Sequence, residues 1–464
     1  MEFAQFILEH EADDPVRLAL ARDRYRAEVE DFDLAVNTLE SRRKLRTKVP
    51  EWYALPQLRY PLKLSAEQCS STETARYKAC VALSVVESEV SWRSSERPAG
   101  PGTFADAKVV EGEKAAGDNR GQSPLKTCKI ADLTGGLGVD SWAFAQVFPE
   151  VLYNEMNPVL ADAALYNFRQ LGLDGVSVRS QELRPGNLSR ILGDFRPDIL
   201  FLDPARRAED GRKVFRLEDC QPDVLQLLPD LFGACPRLLL KLSPMADITL
   251  VCKQLKNVKD VHVVAAEGEC KELLLLLERD YDGPYGITIY ESGAVMEVTG
   301  GWGPESAPAG HDVLGGVAKR RLGDITSPSF LFEPGKALLK AGAFDVPCRY
   351  GLSKLGHHTH LYTSASPVPE ALQPFGKVFE ILEISPLNNR SIKDIGKRYP
   401  SAEVTARNIP ISSDELHKKL GVRSGGSIHI FGCTAGTERL LLVAVRHQAA
   451  RGQDAHFGER AVQV

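Results

Sequence analysis

The sequence lacks any apolar stretch long enough to cross a membrane. A transmembrane helix needs about 20 consecutive apolar residues, and no apolar run in this chain approaches that length. The first residues, MEFAQFILEHEADD, also lack the basic region of a secretory signal and become acidic at once. Neither a membrane protein nor a secreted precursor is therefore expected.

Positive charge is not in excess either. The 464 residues include 57 Lys and Arg against 62 Asp and Glu, which gives a formal net charge of −5. A protein whose whole surface coats nucleic acid is typically basic, so this class is disfavoured. The numbers of charged residues still allow a single basic face on an otherwise acidic protein.

The nine cysteines form no C-x-x-C pair and are scattered along the chain. Such a distribution indicates buried thiols in a reducing compartment rather than a disulfide frame or a zinc site. The sequence thus predicts a cytoplasmic protein without a bound metal. His357, His358 and His360 have no Cys or carboxylate partner at ligand spacing, which favours a loop.

Residues 1–92 have the pattern of helices. Asp14-Pro15 is typical of a helix start, because Pro is favoured at the first helical position. Five basic residues fall within positions 42–48. They could form a solvated helix end, whose negative pole favours cations, or they could contact phosphate groups. Residues 93–127 are rich in Ser, Gly and Pro, which predicts a linker or a disordered insertion.

From residue 128, short apolar runs alternate with helical patterns. This alternation implies crossover connections and a mostly parallel sheet. VHVVAA and ELLLLLE are separated by only a short link that contains Gly, so they must pair antiparallel, and we expect them at the sheet edge. After residue 282, hairpin, helix and strand patterns predict smaller α+β modules.

The strongest local signal is ADLTGGLGVD, residues 131–140. An apolar strand ends at Asp132, and the glycines that follow allow the backbone to turn sharply and approach a ligand. The next strand ends at Glu155, where a carboxylate can accept both hydroxyls of a ribose. A dinucleotide and S-adenosyl-L-methionine (SAM) both suit such a loop. The dinucleotide fingerprint needs G-x-G-x-x-G, whereas the order here is G-G-x-G, so that match is poor.

The fourth strand, DILFLD, delivers the motif DPARR at residues 203–207. This is the strand-end position where open α/β sheets hold ligands. Pro204 stiffens the backbone, so the Asp203 carboxylate and the Pro204 carbonyl can hold the hydrogens of a nucleophile. Methyl transfer to nitrogen needs little more, because positioning supplies much of the catalysis. The alternatives are a helix cap for Asp203 and plain surface charges for Arg206 and Arg207.

These motifs resemble those of class I SAM-dependent methyltransferases. More narrowly, the chain resembles the bacterial class I methyltransferases that carry a C-terminal THUMP-like domain, over nearly its whole length outside 93–127 and the tail. The narrower resemblance is carried by long segments: EQCSSTETARYKA (67–79), ADLTGGLGVD (131–140), LDPARR (202–207), GRKVFRLEDCQP (211–222), KLSPMADI (241–248), ECKELL (269–274), LFEPGKALLKAGAF (331–344), HLYTS (360–364) and AEVTARNIPISSDELHKKL (402–420).

The resemblance implies a Rossmann-like core with SAM as its cofactor. Glu155 would bind the ribose hydroxyls, and Glu182 stands where such enzymes place the acidic residue that contacts adenine. The residues expected to bind the cofactor are Asp132, Thr134, Gly135, Gly136, Gly138, Glu155 and Glu182. Gln68, Ser71, Thr74 and Lys78 precede the core and could cover the cofactor or simply begin a helix.

Asp203 and Pro204 match the D-P-P-[YF] type of motif and are the expected catalytic residues, and Arg206 and Arg207 are the expected substrate contacts. Ala205 and Arg206 replace the second Pro and the aromatic residue of the D-P-P-[YF] motif, so a plain DNA adenine methyltransferase is not expected. The fifth strand ends in KLSP without a Cys, which disfavours covalent catalysis.

Residues 386–423 form a basic segment with eight Lys or Arg against four Asp or Glu, a local charge of +4. A confined basic face on an acidic protein is typical of nucleic-acid binding, although a solvated helix pair has the same composition. The THUMP-like resemblance favours RNA as the partner. The candidate contacts are Lys393, Lys397, Arg398 and Arg407.

The helix and strand patterns along the chain, together with the family resemblance, predict the domain layout. It comprises an N-terminal helical domain (1–92), a linker or insertion (93–127), a methyltransferase domain (128–281), a ferredoxin-like α+β domain (282–372), a THUMP-like domain (373–447) and a flexible tail (448–464). The expected function is direct methyl transfer from SAM to a nucleotide of tRNA or rRNA. A methyltransferase for a small molecule or a protein, and a catalytically silent RNA-binding protein, are the alternatives.

Overall fold

The computed structural model describes residues 2–93, 127–206, 217–302 and 329–447. The chain divides into two compact units, Met1–Ala307 and Pro308–Val464. Most of the predicted linker, the predicted tail and Arg207 lie outside the described residues. None of the described helices combines the length and the apolar character that a membrane span requires.

The first unit begins with helices, as the sequence predicts. The Asp14 side chain accepts a hydrogen bond from the N–H of Val16, and Pro15 is the first residue of the second helix, so the predicted start is confirmed. The helices before the sheet are α1 (Phe3–Glu9), α2 (Pro15–Leu20), α3 (Arg22–Tyr25), α4 (Phe32–Lys48), α5 (Pro50–Tyr53), α6 (Lys63–Gln68) and α7 (Thr72–Arg93).

These helices do not form one separate domain. Phe6, Leu18 and Phe32 pack in a small cluster of their own. Trp52 and Tyr60, by contrast, belong to the same buried cluster as the strand residues of the sheet. The second half of the predicted helical domain is therefore part of the core around the large sheet, because its apolar side chains share one buried cluster with the strand residues.

The core of the first unit is a nine-stranded sheet. Its strands are β1 (Lys129–Asp132), β2 (Glu150–Asn154), β3 (Val176–Arg179), β4 (Ile199–Leu202), β7 (Arg237–Leu242), β8 (Val258–Ala266), β9 (Glu269–Glu278), β10 (Tyr285–Glu291) and β11 (Ala294–Trp302), while β5 (Ala205–Arg206) and β6 (Cys220–Gln221) pair separately. The helices between them are α8 (Val139–Phe144), α9 (Pro158–Gln170), α10 (Leu188–Leu192), α11 (Val224–Ala234) and α12 (Ile248–Gln254).

The strand order is β11-β10-β8-β9-β7-β4-β1-β2-β3. Strands β3, β2, β1, β4 and β7 are parallel to their neighbours in this row, so the predicted mostly parallel sheet is confirmed. Strand β9 pairs antiparallel with β8, as the sequence predicts, and also with β7. The carboxyl ends of the parallel strands bring the loops after β1, β2, β4 and β7 to one edge of the sheet.

The predicted position of the antiparallel pair at the sheet edge is wrong. Strand β10 pairs parallel with β8, and β11 pairs antiparallel with β10. Residues 285–302, which the sequence assigns to the ferredoxin-like domain, therefore extend the large sheet. The physical reason is that β8 offers an unpaired edge, and pairing buries Ile287 and Ile289 of β10.

The second unit is built on one seven-stranded sheet with the order β13-β14-β12-β15-β18-β17-β16. Strands β12 and β15 pair antiparallel, so the predicted ferredoxin-like and THUMP-like segments share this sheet. Its strands are β12 (Ser329–Pro334), β13 (Ser353–Lys354), β14 (Tyr362–Ser364), β15 (Gly376–Pro386), β16 (Glu403–Arg407), β17 (Ile428–Ala435) and β18 (Glu438–Arg446). Its helices are α13 (Lys336–Lys340), α14 (Val346–Arg349), α15 (Asn389–Arg398) and α16 (Ser413–Leu420).

Candidate active site at the carboxyl ends of the parallel strands

A cavity of about 830 Å³ lies at the carboxyl ends of the central strands of the first unit. Its wall includes the loops after β1, β2, β3, β4, β6 and β7, the start of β9, and the connection between α6 and α7. Open α/β sheets hold their ligands at this edge. The cavity therefore brings together the Gly loop, Glu155 and Asp203, which the sequence places on three different strands.

The Gly loop needs glycine for two reasons. A Cβ at Gly135 would lie 2.1 Å from the Tyr153 ring, and one at Gly138 would lie 2.8 Å from the Phe168 ring. Gly136 and Gly138 also have positive φ values of 53° and 94°, which only glycine adopts without strain. A Cβ at Gly136 would meet no atom within 4 Å, so the loop borders open space there.

Glu155 is tied to this loop by its carboxylate. Its Oε2 accepts the N–H of Gly136 at 2.9 Å, and its Oε1 accepts the N–H of Asn157 at 2.8 Å. Each carboxylate oxygen can accept a second hydrogen bond. The half-buried side chain lines the cavity, so it is held in place and keeps acceptor capacity for a ligand.

Asp132 is not brought to the cavity. Its carboxyl is buried and accepts hydrogen bonds from Ser141 Oγ at 2.6 Å and from the N–H of Thr134 at 3.1 Å. Burial raises the pKa of Asp132 to about 8, against the hydrogen bond from Ser141, which lowers it. Asp132 thus fixes the loop from behind, while Thr134 lines the cavity and its Oγ1 accepts the N–H of Asp203 at 2.6 Å.

Asp203 and Pro204 line the cavity as the sequence predicts. The Oδ2 atom of Asp203 accepts a hydrogen bond from Lys241 Nζ at 2.6 Å. No described helix begins at Asp203, since the short strand β5 follows it, so the helix-cap alternative is excluded. Arg206 lies on β5 and Arg207 lies outside the described residues.

A buried network of charges continues from this pair. Lys78 is fully buried and contacts Glu272 Oε1 at 2.6 Å and Asp140 Oδ1 at 3.2 Å. Ser70 joins the two lysines, because its Oγ lies 3.0 Å from Lys78 Nζ and 3.4 Å from Lys241 Nζ. Two ammonium groups and three carboxylates therefore form one connected set at the cavity wall.

Within this network, Lys241 and Asp140 are each held in the ionised state by groups of opposite charge. Burial lowers the pKa of Lys241, but Asp203, Asp140 and Glu272 outweigh burial and raise it above its ordinary value. Burial raises the pKa of Asp140, yet Lys78 and Lys241 bring it below its ordinary value. The sequence did not reveal this network. The available signal was a charged residue directly before an apolar run, Lys78 before ACVAL and Glu272 before LLLLL.

The segment before α7 contributes to the cavity only in part. Gln68, Cys69 and Ser70 line it, whereas Ser71 accepts the N–H of Thr74 at the start of α7. The helix-start interpretation therefore holds for Ser71 and Thr74. Burial raises the pKa of the Cys69 thiol to about 11, so this cysteine is a poor nucleophile.

Glu182 lines the cavity beyond β3, at the position predicted for the adenine contact. Its carboxylate forms an ion pair with Arg184 at 2.5 Å, and this hydrogen bond brings the pKa of Glu182 below its ordinary value. Gln181 lines the cavity beside it. The structure thus places Glu182 at the cavity, and its contact with adenine stays a prediction.

Three of the five basic residues at positions 42–48 make contacts within the chain. Arg42 is buried and pairs with Glu11 at 2.9 Å. Arg43 donates to the carbonyl of Asp13, and Lys48 donates to the carbonyl of Glu67. Three of the five basic side chains are thus engaged within the chain, which opposes the phosphate-contact interpretation for them.

The predicted RNA contacts of the second unit fall into two groups. Lys393 and Lys397 are exposed on α15. Arg398 forms a bidentate ion pair with Glu383, with N–O distances of 2.5 and 2.6 Å. Arg407 pairs with Glu333 at an N–O distance of 2.7 Å. The two arginines are thus paired within the unit itself. Among the described residues, no group of three or more His, Cys, Asp or Glu could hold a metal ion.

Comparisons with known proteins agree with this architecture. A ferredoxin-like domain model matches residues 330–370, and a THUMP domain-like model matches residues 376–446. No curated protein shows significant similarity to the chain.

Among solved structures, a protein of Porphyromonas gingivalis W83 that is provisionally named a methyltransferase is 27% identical, with a TM-score of 0.71 over 96% of this chain and 98% of that chain. TrmK of M. capricolum, solved with S-adenosyl-homocysteine, is 12% identical, with a TM-score of 0.26 over 34% of this chain and 64% of that one. The tRNA methyltransferase TrmK of B. subtilis is 14% identical, with a TM-score of 0.25 over 34% and 62%.

The chain therefore has the fold of a class I SAM-dependent methyltransferase in its first unit. Ferredoxin-like and THUMP-like domains follow in the second unit. The P. gingivalis protein shares this arrangement over almost its full length, so the resemblance read from the sequence is confirmed.

Proposed function

We propose that this chain transfers a methyl group from SAM to RNA. The observation that carries the proposal is the carboxylate of Glu155, held by the N–H groups of Gly136 and Asn157 beside the open space of the Gly loop. A fixed carboxylate at the end of the second strand suits the two hydroxyls of a ribose.

The charges of the cavity decide between the two cofactor classes that the sequence left open. Among the residues that the structure describes, three cationic side chains line it, Arg184, Lys241 and Lys271. Six carboxylates line it as well: Asp140, Glu155, Glu182, Asp203, Asp223 and Glu272. This excess of negative charge attracts a cationic ligand and repels the two phosphates of a dinucleotide. The lining therefore fits SAM, which carries a sulfonium and an ammonium group.

Each part of SAM has residues that would hold it. The Gly loop would contact the methionine part, Glu155 the ribose, and Glu182 with Gln181 the adenine. The cofactor supplies an activated methyl group. The chain itself orients the substrate, and for this step Asp203 and the Pro204 carbonyl are the hydrogen-bond acceptors at the end of β4.

RNA as the substrate is supported by the second unit. The THUMP domain-like match covers residues 376–446 and includes the exposed Lys393 and Lys397. Exposed lysines on a helix can approach phosphates, and each such contact makes the affinity depend on salt. A small-molecule or protein methyltransferase has no need of such a surface.

Mass spectrometry of nucleosides tests the reaction directly. The full chain is incubated with SAM that carries a deuterated methyl group and with RNA from cells that lack the gene. One nucleoside should gain a deuterated methyl group. If SAM is bound but no nucleoside gains the label, RNA is not the substrate and the small-molecule or protein alternative is favoured.

A salt titration tests the RNA surface. Replacing Lys393 and Lys397 with Ala should reduce the log–log slope of RNA affinity against salt by up to about 1.4, at about 0.7 per phosphate contact on single strands. The matched control replaces Lys336 and Lys377, two exposed lysines of the same unit outside the basic segment. Equal slopes for both double variants would show that the surface of α15 carries only solvated charge.

A further inference from the structure

The reactive end of the cavity presents an acceptor and a donor side by side. Asp203 Oδ2 and Lys241 Nζ are 2.6 Å apart, and both side chains line the cavity. Lys241 is held from behind by Ser70 at 3.4 Å and by Glu272 at 3.9 Å. A carboxylate next to an ammonium is complementary to a substrate edge that has an N–H beside an acceptor atom.

Lys241 acts in this pair as a donor. The carboxylates around it raise its pKa above the ordinary value, so the amine keeps its proton and cannot serve as a general base. An ammonium has three N–H groups, and Lys241 Nζ donates two hydrogen bonds in the structure, to Asp203 and to Ser70. Donor capacity therefore remains for an oxygen of the substrate.

We propose that Asp203 and Lys241 together select the lactam edge of a nucleobase, an N–H next to a C=O, and direct the methyl group to the lactam nitrogen. Guanine and uracil carry this edge, whereas adenine and cytosine carry an amino group next to a ring nitrogen. This inference rests on the proposed function, since it names the substrate class of the same site.

The chemistry of the step requires both groups. A lactam nitrogen becomes a nucleophile when it gives up its proton, and the negative charge then spreads to the carbonyl oxygen. Asp203 accepts that proton, the N–CH₃ bond forms, and the S–CH₃ bond breaks with its electron pair going to sulfur. Lys241 stabilises the charge that develops on the oxygen, as a fixed donor does in an oxyanion hole. Asp203 afterwards releases the proton to water.

The lining of the cavity favours recognition of an edge over recognition of a ring face. None of the described residues that line it is aromatic, so no aromatic stacking platform is seen there. Methylation of the ring nitrogen of adenine would need no proton acceptor and would place a new positive charge beside Lys241. The arrangement of one acceptor and one permanent cation is thus matched to guanine and uracil.

Variants of Lys241 test this inference in the deuterated-methyl assay. Lys241→Met should lower kcat by about 10²-fold or more, the loss typical for one oxyanion donor, with a smaller effect on KM. Lys241→Arg should restore part of kcat, because it returns a charged donor. The control is Lys259→Met. Lys259 lies on β8, away from the cavity, and pairs with Glu278 of β9.

The labelled nucleoside decides the substrate class. We expect N1-methylguanosine or N3-methyluridine, and the product distinguishes the two bases. A methylated adenosine or cytidine, a ribose-methylated product, or full kcat in Lys241→Met would overturn the lactam assignment while leaving RNA methylation intact. No labelled nucleoside at all, with S-adenosylhomocysteine still bound in calorimetry, would overturn the RNA substrate and the lactam assignment with it.

Discussion

At the residue scale, stability and site geometry depend on the same buried charges. Lys78 is fully buried and is the partner of both Glu272 and Asp140. A buried ion pair is not by itself a large source of stability, but removal of one partner leaves an uncompensated charge in the interior. Loss of any single member of the network should therefore destabilise the fold.

Lys78→Met should lower the free energy of unfolding by about 3–5 kcal/mol, because two buried carboxylates lose their counter-ion. Urea unfolding followed by tryptophan fluorescence measures this, since all four tryptophans, at positions 52, 92, 142 and 302, belong to the first unit. Lys259→Met is the control. It removes an exposed ion pair with Glu278, so it should lower the free energy of unfolding by about 1 kcal/mol or less. Equal losses in both variants would contradict the account.

Asp132 should make stability depend on pH. Its pKa is raised from 3.8 to about 8 by burial, so between these values the folded state binds a proton that the unfolded state has released. The contribution of Asp132 to stability is therefore present at low pH and is lost as the pH rises, at up to about 1.4 kcal/mol per pH unit. In Asp132→Asn this part of the slope between pH 5 and pH 8 should disappear. An unchanged slope would show that Asp132 is ionised in the fold.

The sequence predicts the residues at strand ends better than it predicts their partners. Glu155 and Asp203 follow apolar strands, and parallel pairing brings such positions to one edge. Lys78 and Glu272 are 194 positions apart, so no local pattern joins them. Arg42 was a candidate phosphate contact, and only the fold shows that Glu11 neutralises it.

At the element scale, α15 and α16 of the second unit approach closely. A Cβ at Gly396 of α15 would lie 1.9 Å from the carbonyl oxygen of Leu420, the last residue of α16. Ile395 and Leu416 are buried in the same cluster between the helices and the sheet. Gly396 therefore sets the distance between the helix that carries Lys393 and its neighbour.

Gly396→Ala should destabilise the second unit, although alanine is the better helix former. Overpacking at a close contact typically costs about 1–3 kcal/mol. Hydrogen exchange of the α15 and α16 amides is the suitable measurement, because the second unit contains no tryptophan. Lys393→Ala, at an exposed position of the same helix, is the control. Slower exchange in Gly396→Ala would contradict the observed contact.

Elements were predictable where their pattern is local. The helix start at Asp14-Pro15 and the antiparallel pairing of β8 with β9 follow from neighbouring residues. The position of β10 does not, because pairing beside β8 depends on which sheet edge is still unpaired. For the same reason the sequence placed β10 and β11 in the wrong unit.

At the scale of the whole molecule, the proposed function assigns a separate task to each of the two units. The cavity, its acidic lining and the Asp203–Lys241 pair all lie in the first unit, and the exposed lysines of α15 lie in the second. The proposed function requires both tasks, cofactor binding in one unit and RNA binding in the other. A change in the α15 lysines should therefore leave the affinity for the cofactor unchanged.

Calorimetric titration of the full chain with S-adenosylhomocysteine tests the central claim most directly. Wild type should bind, and Glu155→Ala should lose about 1.5–3 kcal/mol of binding free energy, because a charged hydrogen-bond acceptor for the ribose is removed. Glu155→Gln keeps one acceptor oxygen and should lie between the two, with the melting temperature without ligand as the check on folding. No binding by wild type, or equal binding by folded Glu155→Ala, would contradict the assignment of this cavity to SAM.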